Sequence, residues 1–150
     1  MKVVDIADEI YRELDFPTTP VLPAIVFWLT SNIGKLNILI ATSIEVDNNE
    51  FFPELDDSQK EILKTLYYVY YFSKLMRASL GAAAYDWSEV IEGDTQIRRV
   101  SKNEVAKNYY SLKKDLQTEV DDLVFYYKQN LCLPASFSAY ADIYQYYRNG

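Results

Sequence analysis

Glu54, Asp56, Asp57 and Glu61 form the strongest carboxylate cluster in the chain. Oxygen donors at that density suit a hard cation such as Mg²⁺ or Ca²⁺. Their spacing does not follow the twelve-residue calcium loop. Acids just before and within the first turn of a helix are also favoured by its dipole. A capped helix start without a bound metal is therefore the expectation. Glu119, Asp121 and Asp122 make a second group. Paired acids do acid–base work when their environments differ, but these alternate with an apolar stripe, the pattern of a solvated face. Arg98 and Arg99, with Lys102 and Lys107 close in sequence, have the chemistry to meet phosphate or an acidic partner. A surface ion pair is the simpler expectation for them, and Lys113 and Lys114 read as helix-surface charges. Gly34 falls inside a helical pattern, with no glycine-rich phosphate loop around it.

The chain has no histidine and one cysteine, Cys132. Ser-His-Asp and Cys-His machinery is excluded within one chain, as are histidine zinc sites and the usual proton shuttle near neutral pH. A single cysteine forms no intrachain disulfide or cysteine metal cluster, and a reducing, cytosolic origin is the natural reading. Cys132 lies between Leu131 and Leu133 and reads as a small buried hydrophobe. No enzyme activity, cofactor or metal is expected.

Net charge is −7, which disfavours whole-surface binding to nucleic acid phosphates. An acidic wall still suits DNA that must slide past without sticking. Fourteen tyrosines in 150 residues are more unusual. Tyrosine joins an apolar body to a polar tip, which suits surfaces that are exposed in a monomer and covered in an assembly. The opening MKVVDIADEIYREL has acids where a signal peptide needs an apolar core, so secretion is not expected. The longest apolar stretch, Val21 to Leu29, is too short for a bilayer and carries Pro23, so it reads as core, with no membrane association.

The elements that must position these residues are mainly helical. A first helix is expected over about Ile6 to Leu14, capped by Asp5, with Val4, Ala7, Ile10, Tyr11 and Leu14 on one face. A second runs from about Pro23, at the first helical position, to Ile40, with an Ile25–Leu29–Ile33–Leu36–Ile40 stripe. Ala41 to Phe52 breaks the helical pattern, with a turn at Asp47, Asn48 and Asn49. A third helix is expected from about Ser58 to Ala83, with Asp56, Asp57 or Ser58 as cap. Its centre, Leu66 to Phe72, is apolar or aromatic on every side, as in a helix central to its domain or sandwiched between subunits. Tyr67, Tyr70 and Tyr109 read as core; Tyr68, Tyr71 and Phe72 are candidate lateral contacts.

Trp87 to Val100 reads as a β-hairpin with its tip at Glu92, Gly93 and Asp94. Ser101 and Glu104 make a capping box for a last helix, Lys102 to about Gln129. Its stripe is Val105, Tyr109, Leu112, Leu116, Val120, Leu123 and Tyr127. After Pro134 the tail carries Phe137, Tyr140, Tyr144, Tyr146 and Tyr147, unlike the polar composition of an idle tail. Docking of this arm onto a neighbouring chain is the expectation.

The order helix–helix–long helix–hairpin–capped helix–aromatic tail resembles the head–tail connector, or adaptor, proteins of tailed bacteriophages. The stretch SEVIEGDTQIRRVSKNEVAKNYYSLKK, residues 88–114, is the most similar, with a Gly-Asp turn followed by a capped helix. The likeness covers residues 1–130 in general pattern. It implies a virion protein at the head–tail interface, made in the host cytoplasm. It also implies a homo-oligomeric ring, typically of twelve copies, below the portal protein. Such a ring extends the channel through which DNA passes without sequence-specific binding, and it supports downstream neck or tail proteins. Family members commonly engage the portal through a C-terminal arm.

The expected architecture is thus mainly α: a bundle of about four helices over 1–133, a β-hairpin insertion at about 87–100, and an extended aromatic arm at 134–150. The expected role is structural. Rival readings are another neck or tail-completion protein, and a cellular helical protein-binding module.

Overall fold

The computed structural model describes residues 1–83, 89–92, 95–98 and 102–132. Helix α1 spans Val3–Glu13 and buries Val3, Ile6, Ala7 and Ile10. Asp5 lies inside its first turn, where an acid suits the dipole, and Lys2 holds the cap position without a side-chain cap. The earlier start has a local cause. Val3 N–H donates to the Asn49 carbonyl at 2.9 Å, and Lys2 bridges Glu50, so the helix grows from an anchored end. That phase buries Val3 and Ile6 and turns Val4, expected on the apolar face, towards solvent.

Helix α2 spans Leu22–Ile40, with Pro23 in its second position rather than its first. Pro is tolerated there because the first N–H groups of a helix have no partner in it. Ile25, Leu29, Leu36 and Ile40 are buried as the stripe requires, Trp28 joins them, and Ile33 packs at the edge. Ala41, in the left-handed region at φ 54°, ends the helix. Asn37 secures the exit: its Nδ2 donates to the Ile44 carbonyl at 2.8 Å, and its Oδ1 accepts from Ile44 N–H at 2.9 Å and Thr42 Oγ1 at 3.1 Å. With 19 residues, α2 is long and apolar enough to cross a bilayer. Val21 to Leu29 is therefore only part of a longer apolar helix. Its buried residues belong to the core shared with α1 and the helix that follows.

The expected turn at Asp47–Asn49 joins two strands that were not expected, β1 (Glu45–Asp47) and β2 (Glu50–Phe52). Asn48 and Asn49 both have positive φ, 49° and 64°, the requirement of a tight hairpin turn with the twist of the flanking strands. Val46 pairs with Phe51 on the face turned to the core, while Glu45 pairs with Phe52 and Asp47 with Glu50 on the other.

Helix α3 spans Asp57–Ala83. Asp56 and Gln59 cap each other: Gln59 N–H donates to Asp56 Oδ1 at 2.7 Å, and Asp56 N–H donates to Gln59 Oε1 at 3.1 Å. Strands β3 (Glu89–Glu92) and β4 (Thr95–Arg98) form the antiparallel hairpin expected within 87–100, with Glu92 opposite Thr95. Helix α4 spans Lys102–Cys132 and carries Glu104 in its first turn. Gly93, Asp94, Arg99, the Ser101 half of the capping box and the whole arm 134–150 lie outside the described residues.

Helices α3 and α4 run antiparallel, with Phe72 beside Tyr109 and Gln59 bonded to Tyr127. At 27 and 31 residues, they are about 40 Å and about 46 Å long. Ala106 and Val120 are buried residues of α4. Leu112, expected in the stripe, is exposed because the inward row runs 109, 113, 116, 120, one step round the helix. Cys132 is exposed, contrary to the expectation of a buried thiol. Since Tyr127 already meets the first turn of α3, the last turn of α4 overruns its partner. The main core lies between α1, α2, the inner face of β1–β2 and the first half of α3.

Candidate functional site

Three of the four acids that suggested a cation site are occupied separately, and Asp57 lies exposed in the first turn of α3. Glu54 pairs with the Met1 ammonium at 2.8 Å, which holds its carboxyl below the ordinary range. Asp56 caps α3, and Glu61 contacts Lys64 at 3.3 Å. Among the described residues no three acids or thiols converge as a metal-ligand group. Glu119, Asp121 and Asp122 are exposed on α4.

The densest electrostatic feature joins α1 to α3. Lys64, its side chain 7% exposed, meets Glu13 at 2.6 Å, Glu61 at 3.3 Å and Glu9 at 3.7 Å. Burial alone would lower its pKa, but the hydrogen bond it donates to Glu13 and the attraction of Glu61 outweigh that and raise it. Burial alone would raise Glu13; the hydrogen bonds from Lys64 and Tyr68, with the attraction of Lys64 and Lys60, bring it below the ordinary carboxylate value. Tyr68 O–H donates to Glu13 Oε2. Burial first, then the Glu13 hydrogen bond and charge, push that phenol well above its ordinary pKa. This is a clamp between two helices in which every charged group has a partner.

Of the candidate lateral residues, Tyr68 faces α1 and Phe72 lies against Tyr109 of α4 at 6.1 Å between ring centroids. Tyr71 stacks on Tyr67 at 6.5 Å and 14° between planes. Tyr67 is buried as expected. Tyr70, read as core, is 41% exposed; it is the ring of this run that opens outward.

Tyr70 opens into a cleft of ≈ 520 Å³ between α2, α3 and α4. Helix α2 supplies Trp28 and, two turns on, Lys35, whose Nζ lies 5.8 Å from the Trp28 ring centroid. Helix α3 supplies Tyr70, Lys74 and Arg77, four and seven residues apart from the tyrosine and so on one face. Helix α4 supplies Lys113 and Gln117. Four cations therefore surround an aromatic wall, and among the described residues no carboxylate lines the cleft. Among the described residues none of the four is ion-paired. Sequence reasoning missed this site. Its signals were the spacings 28/35 and 70/74/77, but only packing of three helices brings them together with Lys113.

The outer face of β1–β2 has the opposite character. Glu45, Asp47, Glu50 and Phe52 are exposed together, and Asp47 stands directly across from Glu50. Phe52 is 75% exposed.

No protein-family model, no curated protein and no solved structure matches this chain.

Proposed function

We propose that the chain is a structural head–tail connector of a tailed-phage virion. It would form a homo-oligomeric ring below the portal, extend the DNA channel and join the head to neck and tail proteins. The observation that carries the reading is the element order. Two shorter helices precede a long antiparallel pair, α3 and α4, whose connection carries the β3–β4 hairpin. This is the order on which the resemblance to adaptors rests. The clamp of paired charges between α1 and α3 agrees with a protein that acts by shape and contact. The aromatic arm, residues 134–150 with Phe137, Tyr140, Tyr144, Tyr146 and Tyr147, is assigned to the portal or a neighbouring subunit on its composition. The net charge of −7 suits a channel wall that lets DNA slide.

A cellular helical binding module is the second reading, and the cationic aromatic cleft is the feature that favours it. Gold-labelled antibody against this chain, applied to purified particles, separates the two. Label at the head–tail junction supports the connector. Particles without the protein, with the chain confined to a cellular complex, contradict it.

A further inference from the structure

Among the described residues neither the cleft nor the hairpin face has its charges compensated, and the two are complementary. Lys35, Lys74, Arg77 and Lys113 converge with no acid among the described residues of the cleft lining. On the hairpin, Asp47 and Glu50 are direct cross-strand partners, an arrangement that weakens a strand pair. The nearest cationic residue in the pairing, Lys2, bridges Glu50 through its backbone, and its ammonium makes no ion pair among the described residues. The aromatic components also match. Phe52 projects from the acidic face beside Glu45, and Tyr70 is the exposed ring of the cleft. One molecule does not bring the two together. The hairpin lies before the start of α3, whereas Lys74 and Arg77 lie on the order of 25 Å along that helix.

We infer that the outer face of β1–β2 of one copy docks into the α2–α3–α4 cleft of a second copy. Glu45, Asp47 and Glu50 meet Lys35, Lys74, Arg77 and Lys113, and Phe52 packs on Tyr70. This deepens the connector reading, on which it rests for the identity of the partner. The contact uses different patches on its two sides, so it is head-to-tail, and repetition closes a ring if the rotation permits. Opposite charge sets the register of the two copies and speeds their encounter, and the aromatic pair supplies the apolar contact.

The test uses the full chain and two neutralised variants, Lys74→Gln/Arg77→Gln and Asp47→Asn/Glu50→Gln. All four positions are exposed, so both variants keep the fold, checked by circular dichroism. Self-association is read by sedimentation velocity. The wild-type protein is expected to associate at low salt. Association weakens as salt rises from about 0.1 to about 1 M, where the screening length falls from about 10 to about 3 Å. Each variant alone associates about tenfold more weakly, the size expected for removing close charge pairs. An equimolar mixture of the two variants has one intact hairpin and one intact cleft per pair, so it yields 1:1 dimers and nothing longer.

A wild-type protein that stays monomeric at low salt overturns the inference. So does association that both variants retain, a result that leaves the connector reading standing. Cleft variants that abolish binding of a DNA oligonucleotide while self-association is unchanged assign the cations to nucleic acid and also overturn it. If the variants behave as expected but particles lack the chain, the contact stands and the connector reading fails.

Discussion

Replacing Lys64 by Met removes one charge and keeps most of the buried stem. The ammonium it removes is nearly enclosed and holds Glu13 at 2.6 Å, with Glu61 and Glu9 within 3.7 Å. A hydrogen bond to a charged group contributes roughly 1.5–3 kcal/mol. The three carboxylates are about half exposed, so water replaces part of the lost interaction, and losing the buried charge relieves some desolvation. The net loss is expected to be about 1–2 kcal/mol at neutral pH, which for this chain length lowers Tm by roughly 3–6 °C.

The pH dependence makes the prediction specific. The pKa of Glu13 is depressed in the fold, so its contribution is present above the unfolded value near 4.5 and is lost as pH falls through the folded value. The pKa of Lys64 is raised, so its contribution is complete below 10.5 and is lost as pH rises through the folded value. Between these limits the pair acts in full. Urea unfolding of wild type and Lys64→Met, followed by circular dichroism from neutral to strongly acidic pH, should show the difference shrinking as the carboxylates protonate. A variant as stable as wild type at neutral pH, or a deficit unchanged in acid, refutes the ion-pair reasoning and leaves Lys64 a packing residue.

Asn37→Ala removes three hydrogen bonds that tie the end of α2 to Thr42 and Ile44. A loss of about 2 kcal/mol is expected, with amide exchange of residues 45–52 accelerated first. Leu29→Ala, at a fully buried site, should cost about 3 kcal/mol in chemical unfolding. Deleting residues 134–150 should leave the helical circular dichroism and cooperative melting in place while abolishing incorporation into particles. A truncated chain that unfolds would make the arm part of the core.

Helices were legible where one face alone meets the core. The Ile25–Leu29–Leu36–Ile40 row of α2 shows at once as a periodic pattern and is buried. The β3–β4 hairpin was marked by turn chemistry, and its strands fall inside the expected range. Strands β1 and β2 were missed because each has three residues and one inward side chain, Val46 or Phe51, too few for alternation to appear. The all-round apolar run of α3 gave no phase, so Tyr70 was read as buried when it is the outward ring. Cys132 was misplaced because local neighbours say nothing about where α3 stops. The cationic cleft draws single residues from α2, α3 and α4, and no one segment announces such a site. Gly93 and Asp94 of the hairpin tip and the arm from Phe137 to Tyr147 fall outside the described residues.

Cryo-electron microscopy of particles that contain this chain is the most direct measurement. The connector reading predicts a ring of identical copies between portal and tail, with the helical domain resolved and the C-terminal arm seated on the portal or the neighbouring subunit. A reconstruction with the head–tail junction built wholly from other proteins, and this chain found only as a free monomer or small cellular complex, contradicts it.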